Sequence, residues 1–576
     1  MLTLLVRPVK NPNAPQPTFI KSTLVTEEIQ KRSSEPAAGS AAAWWTRGLR
    51  LLRPSHSHSV LSASILLAVS SIASSLIGLA RGTYIAWLFG AGPQTDAYNA
   101  AFRLPDLMNN FLVGGAVSIT FVTILNRYRE RGEEAEGERV LFIVLNLMVL
   151  VLILASIVLM FLAGPFIHLT NPGFPPAQVD LCARMTRVLL PAQIFLFAGS
   201  VLGALLLVRK QFLYQAATPI IYNLSIITCG VLLHRHLGVM SLAIGATLGF
   251  LIGSLGINAY GVAHERVRFR FGIDLSHPGL RVWLYMTLPL MFGFGLPFLD
   301  TFFAGYYASN GAGDITRLAN AKQLFSAPMS TLAQAAGVAS MPFFAQLWAS
   351  EKRYEFAVGV ADSVSRVVAL GLLAASLMIA MSHAIVGLAF GRGHFTPHDV
   401  TLTAIFFSIY TVSLFAWSAQ AIYARAFYAT GTTWIPMLAS VIIVAGAFPL
   451  YGFGYRMWGA EGLALASDAG IVLQAIALAV LLHRKQMVSL ASLDYEEMGR
   501  CLFAGLVSGF AVWIAVWGAG IVLGHLPGQL LLGHARVYDL CVIAIGTVIW
   551  LAITKEILEK TGSALPRVIM ARLKLN

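Results

Sequence analysis

Residues 141–163 form a single uncharged apolar run, LFIVLNLMVLVLILASIVLMFLA. A helix of about 20 such residues crosses a bilayer core, and a helix satisfies its own backbone hydrogen bonds where no water is present. Similar runs recur along the chain, which is 57% hydrophobic and 12% charged, whereas soluble domains carry about 25% charged residues. The sequence therefore predicts an all-α polytopic membrane protein.

The apolar runs divide the chain into about fourteen transmembrane helices, called spans 1 to 14 below. They lie near residues 59–89, 97–126, 140–166, 180–208, 214–234, 239–262, 282–308, 313–346, 360–389, 399–428, 433–453, 459–483, 498–524 and 538–557. RKQFLYQAATPIIYN and RAFYATGTTWIPMLA each place a basic residue, an aromatic residue and a proline where two spans meet. This weak repeat favours two pseudo-symmetric lobes around a central cavity, and chance similarity of short loops is the alternative.

The net charge of +13 is spread unevenly between the two sides of the membrane. Most of the 40 Lys and Arg residues lie on the side of both termini, in segments such as RKQF, HERVRFRF and LHRKQ. The positive-inside rule then predicts that both termini are cytoplasmic. Membrane lipids are the expected surroundings, and no nucleic-acid partner is expected.

The predicted organisation has four parts. Residues 1–57 are rich in Pro, Ser and Ala and are expected to form a disordered cytoplasmic tail. Residues 58–270 hold spans 1–6 as an N-terminal lobe, and 271–485 hold spans 7–12 as a second lobe. Residues 486–576 add spans 13 and 14 and a cytoplasmic tail.

Sequence motifs for catalysis and metal binding are missing from the chain. The four cysteines, Cys182, Cys229, Cys501 and Cys541, lack the spacing of a zinc site or a disulfide framework. No Walker A motif, paired-histidine site or nucleophile elbow occurs. A transporter is therefore favoured over an enzyme, with no catalytic residue, no metal site and no cofactor.

Span 2 carries a polar stripe at helical spacing. Its members are Asp96, Asn99, Arg103, Asp106 and Asn110. Steps of three and four residues place them on one face of a helix, where charges facing hydrocarbon would be costly. The stripe is expected to line a watered cavity, or to form an internal ion-pair ladder, and Pro105 within it predicts a kink.

Further cations lie in spans 1 and 8. Arg81 is expected either in the same cavity or at the membrane interface, and Lys322 and Gln323 precede a second kinking residue, Pro328. Arginines and amides in a kinked bundle suit an anionic ligand, above all a phosphate or pyrophosphate.

Two carboxylates, Asp300 in span 7 and Asp468 in span 12, also lie within the apolar spans. Either can bind a coupling cation or proton, or act as the counter-ion of a cation such as Lys322. The residues leave both interpretations open.

The stretch GLARGTYIAWLFGAGPQTDAYNAAFRLPDL, continuing into GGAVSITFVTIL, resembles the first two helices of the MurJ (MviN) family. TNPGF, FGRGHFTPHD and RAFYATGTTWIP follow in the family's order. These proteins are lipid II flippases of the bacterial inner membrane, within the multidrug/oligosaccharidyl-lipid/polysaccharide exporter superfamily. The resemblance implies a two-lobed fold with a V-shaped cavity lined by spans 1, 2, 7 and 8, which works by alternating access.

The resemblance also implies roles for individual residues. Arg81 and Asp96 match family cavity residues, and Arg103 stands at a basic position. Ser75, Asn109 and Gln323 stand where the family has arginines, although Lys322 beside Gln323 offers a replacement charge. Gly114 replaces a family glutamate.

The expected function is therefore the transfer of lipid II, which carries an undecaprenyl-pyrophosphate-type anchor, to the periplasmic leaflet. Some relatives are thought to bind sodium between spans 7, 11 and 12, so Na+, protons or the membrane potential are the expected energy sources. The lost arginines leave alternatives open: a flippase for another lipid-linked glycan, a multidrug exporter, or a non-transporting scaffold. The sequence predicts no particular protein partner.

Overall fold

The computed structural model describes residues 60–110, 116–267, 269–291, 296–432, 434–524, 528–563 and 565–566. The predicted tail 1–57 and Gly114 lie outside the described residues. The first half of the bundle contains α1 (Val60–Phe89), α2 (Pro93–Ala101), α3 (Arg103–Met108), α4 (Ala116–Glu130), α5 (Glu134–Thr170), α6 (Pro176–Leu189), α7 (Ala192–Val208), α8 (Phe212–Leu237), α9 (Met240–Gly249) and α10 (Ile257–His264).

The second half begins with α11 (Pro278–Met291) and α12 (Leu296–Ala308). It continues with α13 (Asp314–Met329), α14 (Ala335–Ala349), α15 (Arg353–Ala380), α16 (Ser382–Phe390), α17 (Pro397–Val412), α18 (Leu414–Ala429), α19 (Trp434–Arg484), α20 (Tyr495–Gly524) and α21 (Gly528–Lys560). Within the described ranges there is no β-strand.

Ten helices in the described part of the chain are long and apolar enough to cross a membrane. The prediction of an all-α polytopic membrane fold is confirmed, whereas the number of fourteen spans stays a prediction. The longest helix, α19, bends at Trp458 and Gly459, where Gly459 adopts a left-handed φ of 59°. This bend lies between predicted spans 11 and 12.

Predicted span 2 is broken within its polar stripe. Helix α2 ends at Ala101 and α3 begins at Arg103. Pro105 has no N–H to donate to the carbonyl of Ala101, and the Thr186 hydroxyl donates to that oxygen instead, at 3.1 Å. The predicted kink is therefore real, and a side chain from α6 satisfies the carbonyl that Pro105 leaves free.

Span 8 also changes its helical form next to a proline. Pro328 lies within α13, and a π-helical turn, Ser330–Gln334, follows before α14. A π turn shifts the backbone hydrogen-bond register and often marks a functional site. The chain thus changes hydrogen-bond register just after Pro328, and the predicted kink itself stays a prediction.

The helices pack in two lobes, which we define as α1–α10 and α12–α19. Helix α11 packs on the first lobe, where Trp283 stacks on Phe121 with ring centroids 6.1 Å apart, whereas α12 packs on α19. Helix α20 packs against α15 and α21. The predicted divisions at residues 270 and 485 stay predictions.

The lobes meet where the loops 90–92, 171–175, 309–313 and 391–396 come together, a region called the joined end below. Hydrogen bonds between the lobes lie at this end or within a few helical turns of it. In the described ranges they join Thr83 to Ala389, Trp87 to His394, Asp96 to Gly313 and Thr316, Asn99 to Thr316, Gly173 to Ser309, and Gly78 to Gln323. The sequence stripe of span 2 is thus placed at the boundary between the lobes.

Candidate functional site

Asp96 fastens the first lobe to the start of α13. Its carboxylate is 1% exposed and accepts hydrogen bonds from the backbone N–H groups of Gly313, at 2.6 Å, and Thr316, at 2.8 Å. The Thr316 hydroxyl donates to the same carboxylate at 2.7 Å. A negative charge at a helix N-terminus is favoured both by the free N–H groups and by the helix dipole. Asp96 therefore caps a helix of the opposite lobe.

Arg103, the first residue of α3, also lies at the boundary between the lobes. Its guanidinium is 3% exposed and donates through Nη1 to Asn171 Oδ1, at 2.5 Å, and to the carbonyl of Thr170, at 3.5 Å. Across the boundary it contacts Gly305 of α12 so closely that a β-carbon there would overlap it. These acceptors are neutral, and no carboxylate lies within ion-pair distance of the Arg103 guanidinium among the described residues.

A cavity of about 180 Å³ opens between Arg103 and the second lobe. Asn99 and Arg103 line it from the first lobe, and Asp300 and Lys322 line it from the second. Such a volume admits several water molecules. The cavity is therefore a charged site between the lobes that is large enough to hold water, and Asn99 and Arg103 of the predicted stripe line it.

Lys322 and Asp300 form an ion pair on the second-lobe side of this cavity. The other carboxylate oxygen of Asp300 accepts from the Tyr451 hydroxyl of α19. Asp300 is 5% exposed, so both donors are needed to compensate the buried charge. Of the two sequence interpretations of Asp300, the geometry shows the counter-ion of Lys322.

Arg81 and Gln323 border a smaller cavity of about 70 Å³ between α1, α2 and α13. Gln323 donates to the carbonyl of Gly78 at 3.0 Å, and its Oε1 would lie 2.8 Å from a β-carbon at Gly82. Arg81 lies over the Tyr222 ring, 5.8 Å from its centroid, a cation–π contact. Gln323 thus packs span 8 against span 1.

The remaining predicted site residues lie in different surroundings. Asp106 is exposed, and Asn109 and Asn110 are half-buried, with Asn110 donating to the backbone carbonyl of Asp106 at 3.0 Å. Asp468 lies on α19 and is half-buried. The five stripe residues do not share one environment, and the role of Asp106, Asn109 and Asn110 in binding stays a prediction.

A sequence model of a known family, described as "Lipid II flippase MurJ", matches residues 85–525. The chain belongs to the MurJ family. A protein of Vibrio cholerae serotype O1 named "Probable lipid II flippase MurJ" is 24% identical over 80% of this chain and 90% of its own length. The resemblance to the MurJ family that the sequence motifs indicated is confirmed.

Two solved structures show the fold of this MurJ-family chain. One, titled "Lipid II flippase MurJ, inward closed conformation", covers 86% of this chain and 99% of its own, with a TM-score of 0.70 at 20% identity. The other is an inward-facing multidrug resistance MATE family transporter of the MOP superfamily. It covers 74% of this chain and 98% of its own, with a TM-score of 0.59 at 15% identity. The chain is an integral membrane protein of this superfamily fold.

Sequence reasoning missed a buried charge network of this MurJ-family chain at the joined end. Arg317, 9% exposed, donates to Asp399 at 2.8 Å and to Asp314 at 2.8 Å. Asp399 also accepts from Thr396 in a capping box at the start of α17. The TPHD sequence carries that capping signal, but its partner Arg317 lies 82 residues away in sequence.

Proposed function

We propose that this chain is a flippase that moves lipid II from the cytoplasmic to the periplasmic leaflet by alternating access. It is a transporter rather than an enzyme. Family membership supports the substrate, and the charged cavity between the lobes supports the mechanism. A lipid-linked pyrophosphate carries its negative charge at the boundary between headgroup and tail, which matches a cation placed at membrane depth.

The observation that carries this proposal is the state of Arg103. Its guanidinium borders the cavity, has only neutral hydrogen-bond acceptors among the described residues, and keeps its Nε atom buried without a partner there. A buried arginine in this state gains a charge-assisted partner when a phosphate enters. Arg103 is therefore the anchor for the anionic headgroup.

The orientation of the cycle follows from the charge distribution. The positive-inside rule places both termini in the cytoplasm of a bacterial inner-membrane protein and the joined end at the periplasmic face. Contacts at the joined end then close the periplasmic side, so substrate loads from the cytoplasm. Opening the joined end releases it outward.

A flippase for another lipid-linked oligosaccharide is the second candidate, and a specific contact favours it. Where the family pattern has arginines, Gln323 bonds the carbonyl of Gly78 and Ser75 bonds the carbonyl of Ser71. Gln323 packs span 8 on span 1, and Ser75 bonds only within its own helix, so these two positions leave fewer cations for a pyrophosphate. A multidrug exporter is disfavoured because Lys322 neutralises the carboxylate that lines the cavity.

Energy coupling through Na+, protons or the membrane potential is part of the proposal. Of the two carboxylates considered for ion coupling, Asp300 has Lys322 as its ion-pair partner, whereas Asp468 has no basic side chain within ion-pair distance among the described residues. It is therefore the better candidate for a coupling ion than Asp300, which already has Lys322.

Complementation tests this function. A strain depleted of its own lipid II flippase is expected to grow when it expresses this chain. A well-expressed, membrane-inserted protein that fails to restore growth would contradict the lipid II assignment. Rescue of a strain lacking a different lipid-linked glycan flippase would then favour the second candidate.

A further inference from the structure

The two members of the Lys322–Asp300 pair differ in how far they are exposed to the cavity. Asp300 is almost completely buried, with a side-chain exposure of 4%, and is held from the protein side by the Tyr451 hydroxyl. The side chain of Lys322 is 31% exposed. The acid is thus fixed in the lobe, while the base reaches the cavity.

Lys322 has the capacity to change partners. A lysine ammonium carries several N–H donors on a flexible stem, and Asp300 is its only side-chain partner among the described residues. Asp300 would keep one donor, the Tyr451 hydroxyl, after Lys322 moved away. Neither group is then left without a polar partner if an anion takes the ammonium.

The opposite wall presents the second cation. The Arg103 guanidinium contacts Gly305. Gly305 lies on the same helix as Asp300 and also lines the cavity. The described lining carries Arg103, Lys322 and Asp300 as its ionisable charged groups. With the pair closed, Asp300 cancels the charge of Lys322, and Arg103 is the cation of the lining that has no ion-pair partner among the described residues. With the pair open, both cations face an anion between the lobes.

Building on the anionic lipid transport proposed above, we propose that Asp300 competes with the phosphate group of the substrate for Lys322. The pair is closed in the empty protein, opens when the phosphate engages Lys322, and re-forms when the headgroup leaves. A transporter must bind its cargo weakly enough to release it, and this internal carboxylate lowers affinity for that purpose. Asp300 is a positioning residue that acts on the substrate through Lys322.

The test measures binding of farnesyl pyrophosphate to the purified full chain in detergent by isothermal titration calorimetry. Asp300→Asn is expected to bind about tenfold more tightly than wild type, because Lys322 is no longer engaged. Lys322→Gln is expected to bind about tenfold more weakly. The double variant should bind like Lys322→Gln, because Asp300 has no effect once Lys322 is gone.

A matched control removes the same charge elsewhere. Asp362→Asn breaks an exposed pair with Arg366 on α15 and is expected to leave the dissociation constant within about twofold. Melting temperature and gel filtration verify that each variant is folded. Asp300→Ser replaces Asp300→Asn if the latter is not recovered folded.

Two results would overturn the proposed competition between Asp300 and the phosphate for Lys322. One is a folded Asp300→Asn protein that binds no more tightly than wild type. The other is tighter binding that persists in the Lys322→Gln background, which would assign Asp300 a direct repulsion of the anion. Failure of the proposed function looks different, because the wild type itself would then bind no pyrophosphate or would bind it without restoring growth.

Discussion

Asp96 Oδ2 accepts a 2.6 Å hydrogen bond from the backbone nitrogen of Gly313, and the two residues belong to opposite lobes. Gly313 is the N-cap residue of α13 and adopts a left-handed φ of 87°. A β-carbon at Gly313 would also lie 2.8 Å from the carbonyl of Ala91. The contact therefore depends on a carboxylate from one lobe and a glycine from the other. Closure of the joined end therefore involves both Asp96 and Gly313. The sequence resemblance had pointed to Asp96 but not to Gly313.

Removing the Asp96 cap is expected to loosen the joined end. Asp96→Ala should weaken the closed arrangement by about 1 kcal/mol, roughly fivefold in the equilibrium between joined and separated lobes. The measurement is the rate at which a membrane-impermeant thiol reagent labels Ser309→Cys, which replaces a residue that is 5% exposed. Cys229 and Cys541 are first replaced by serine, because they are not fully buried.

Asp106→Ala is the matched control for that experiment. Asp106 follows Asp96 in the same predicted span but is exposed. It should leave the labelling rate unchanged. Equal labelling in the Asp96→Ala and wild-type backgrounds would show that the cap does not hold the lobes together.

A β-carbon at Gly305 is expected to displace Arg103 without changing any charge. Gly305→Ala should cost about 1–3 kcal/mol through overpacking and move the guanidinium away from its place beside the cavity. Growth rescue should fall sharply at normal membrane abundance. Gly446→Ala is the control, since nothing lies within 4 Å of the position of its β-carbon, and rescue by that variant should match wild type. Normal rescue by Gly305→Ala would contradict the importance of the Arg103 position.

Arg317 is expected to stabilise the start of α13. Arg317→Gln leaves Asp399 and Asp314 without their basic partner, and breaking a buried pair costs about 3–5 kcal/mol. Thermal unfolding in detergent should therefore begin at a clearly lower temperature. Arg366→Gln breaks an exposed pair, typically worth about 0.3–0.5 kcal/mol, and should barely shift the transition. Similar unfolding temperatures for the two variants would contradict a stabilising role of Arg317.

The sequence predicted the membrane fold, the helix break next to Pro105 and a charged cavity beside Arg103, because these follow from local rules of helix geometry and burial. Equal spacing suggested one continuous stripe along span 2. The helix instead breaks at Phe102, and of its two aspartates Asp96 is buried whereas Asp106 is exposed. A single-helix projection does not describe such a break.

The partners of the site residues were beyond sequence reasoning for a different reason. Asp96 bonds Gly313, which lies 217 residues later in the sequence, and Tyr451 bonds Asp300 from 151 residues away. Tertiary packing brings such groups together, and no local pattern records it. The sequence could suggest that Asp300 is the counter-ion of Lys322, because it shows that the two residues have opposite charges. It could not show the distance between them.

The central claim is that this chain carries lipid II across the membrane on a cationic site that includes Arg103. The most direct measurement uses flippase-depleted cells and an externally added enzyme that cleaves lipid II at its pyrophosphate. The wild-type chain should restore cleavage of newly made lipid II, whereas Arg103→Gln at equal membrane abundance should not. Cleavage that stays at the depleted level with abundant wild-type protein, or that is fully restored by Arg103→Gln, would contradict the account.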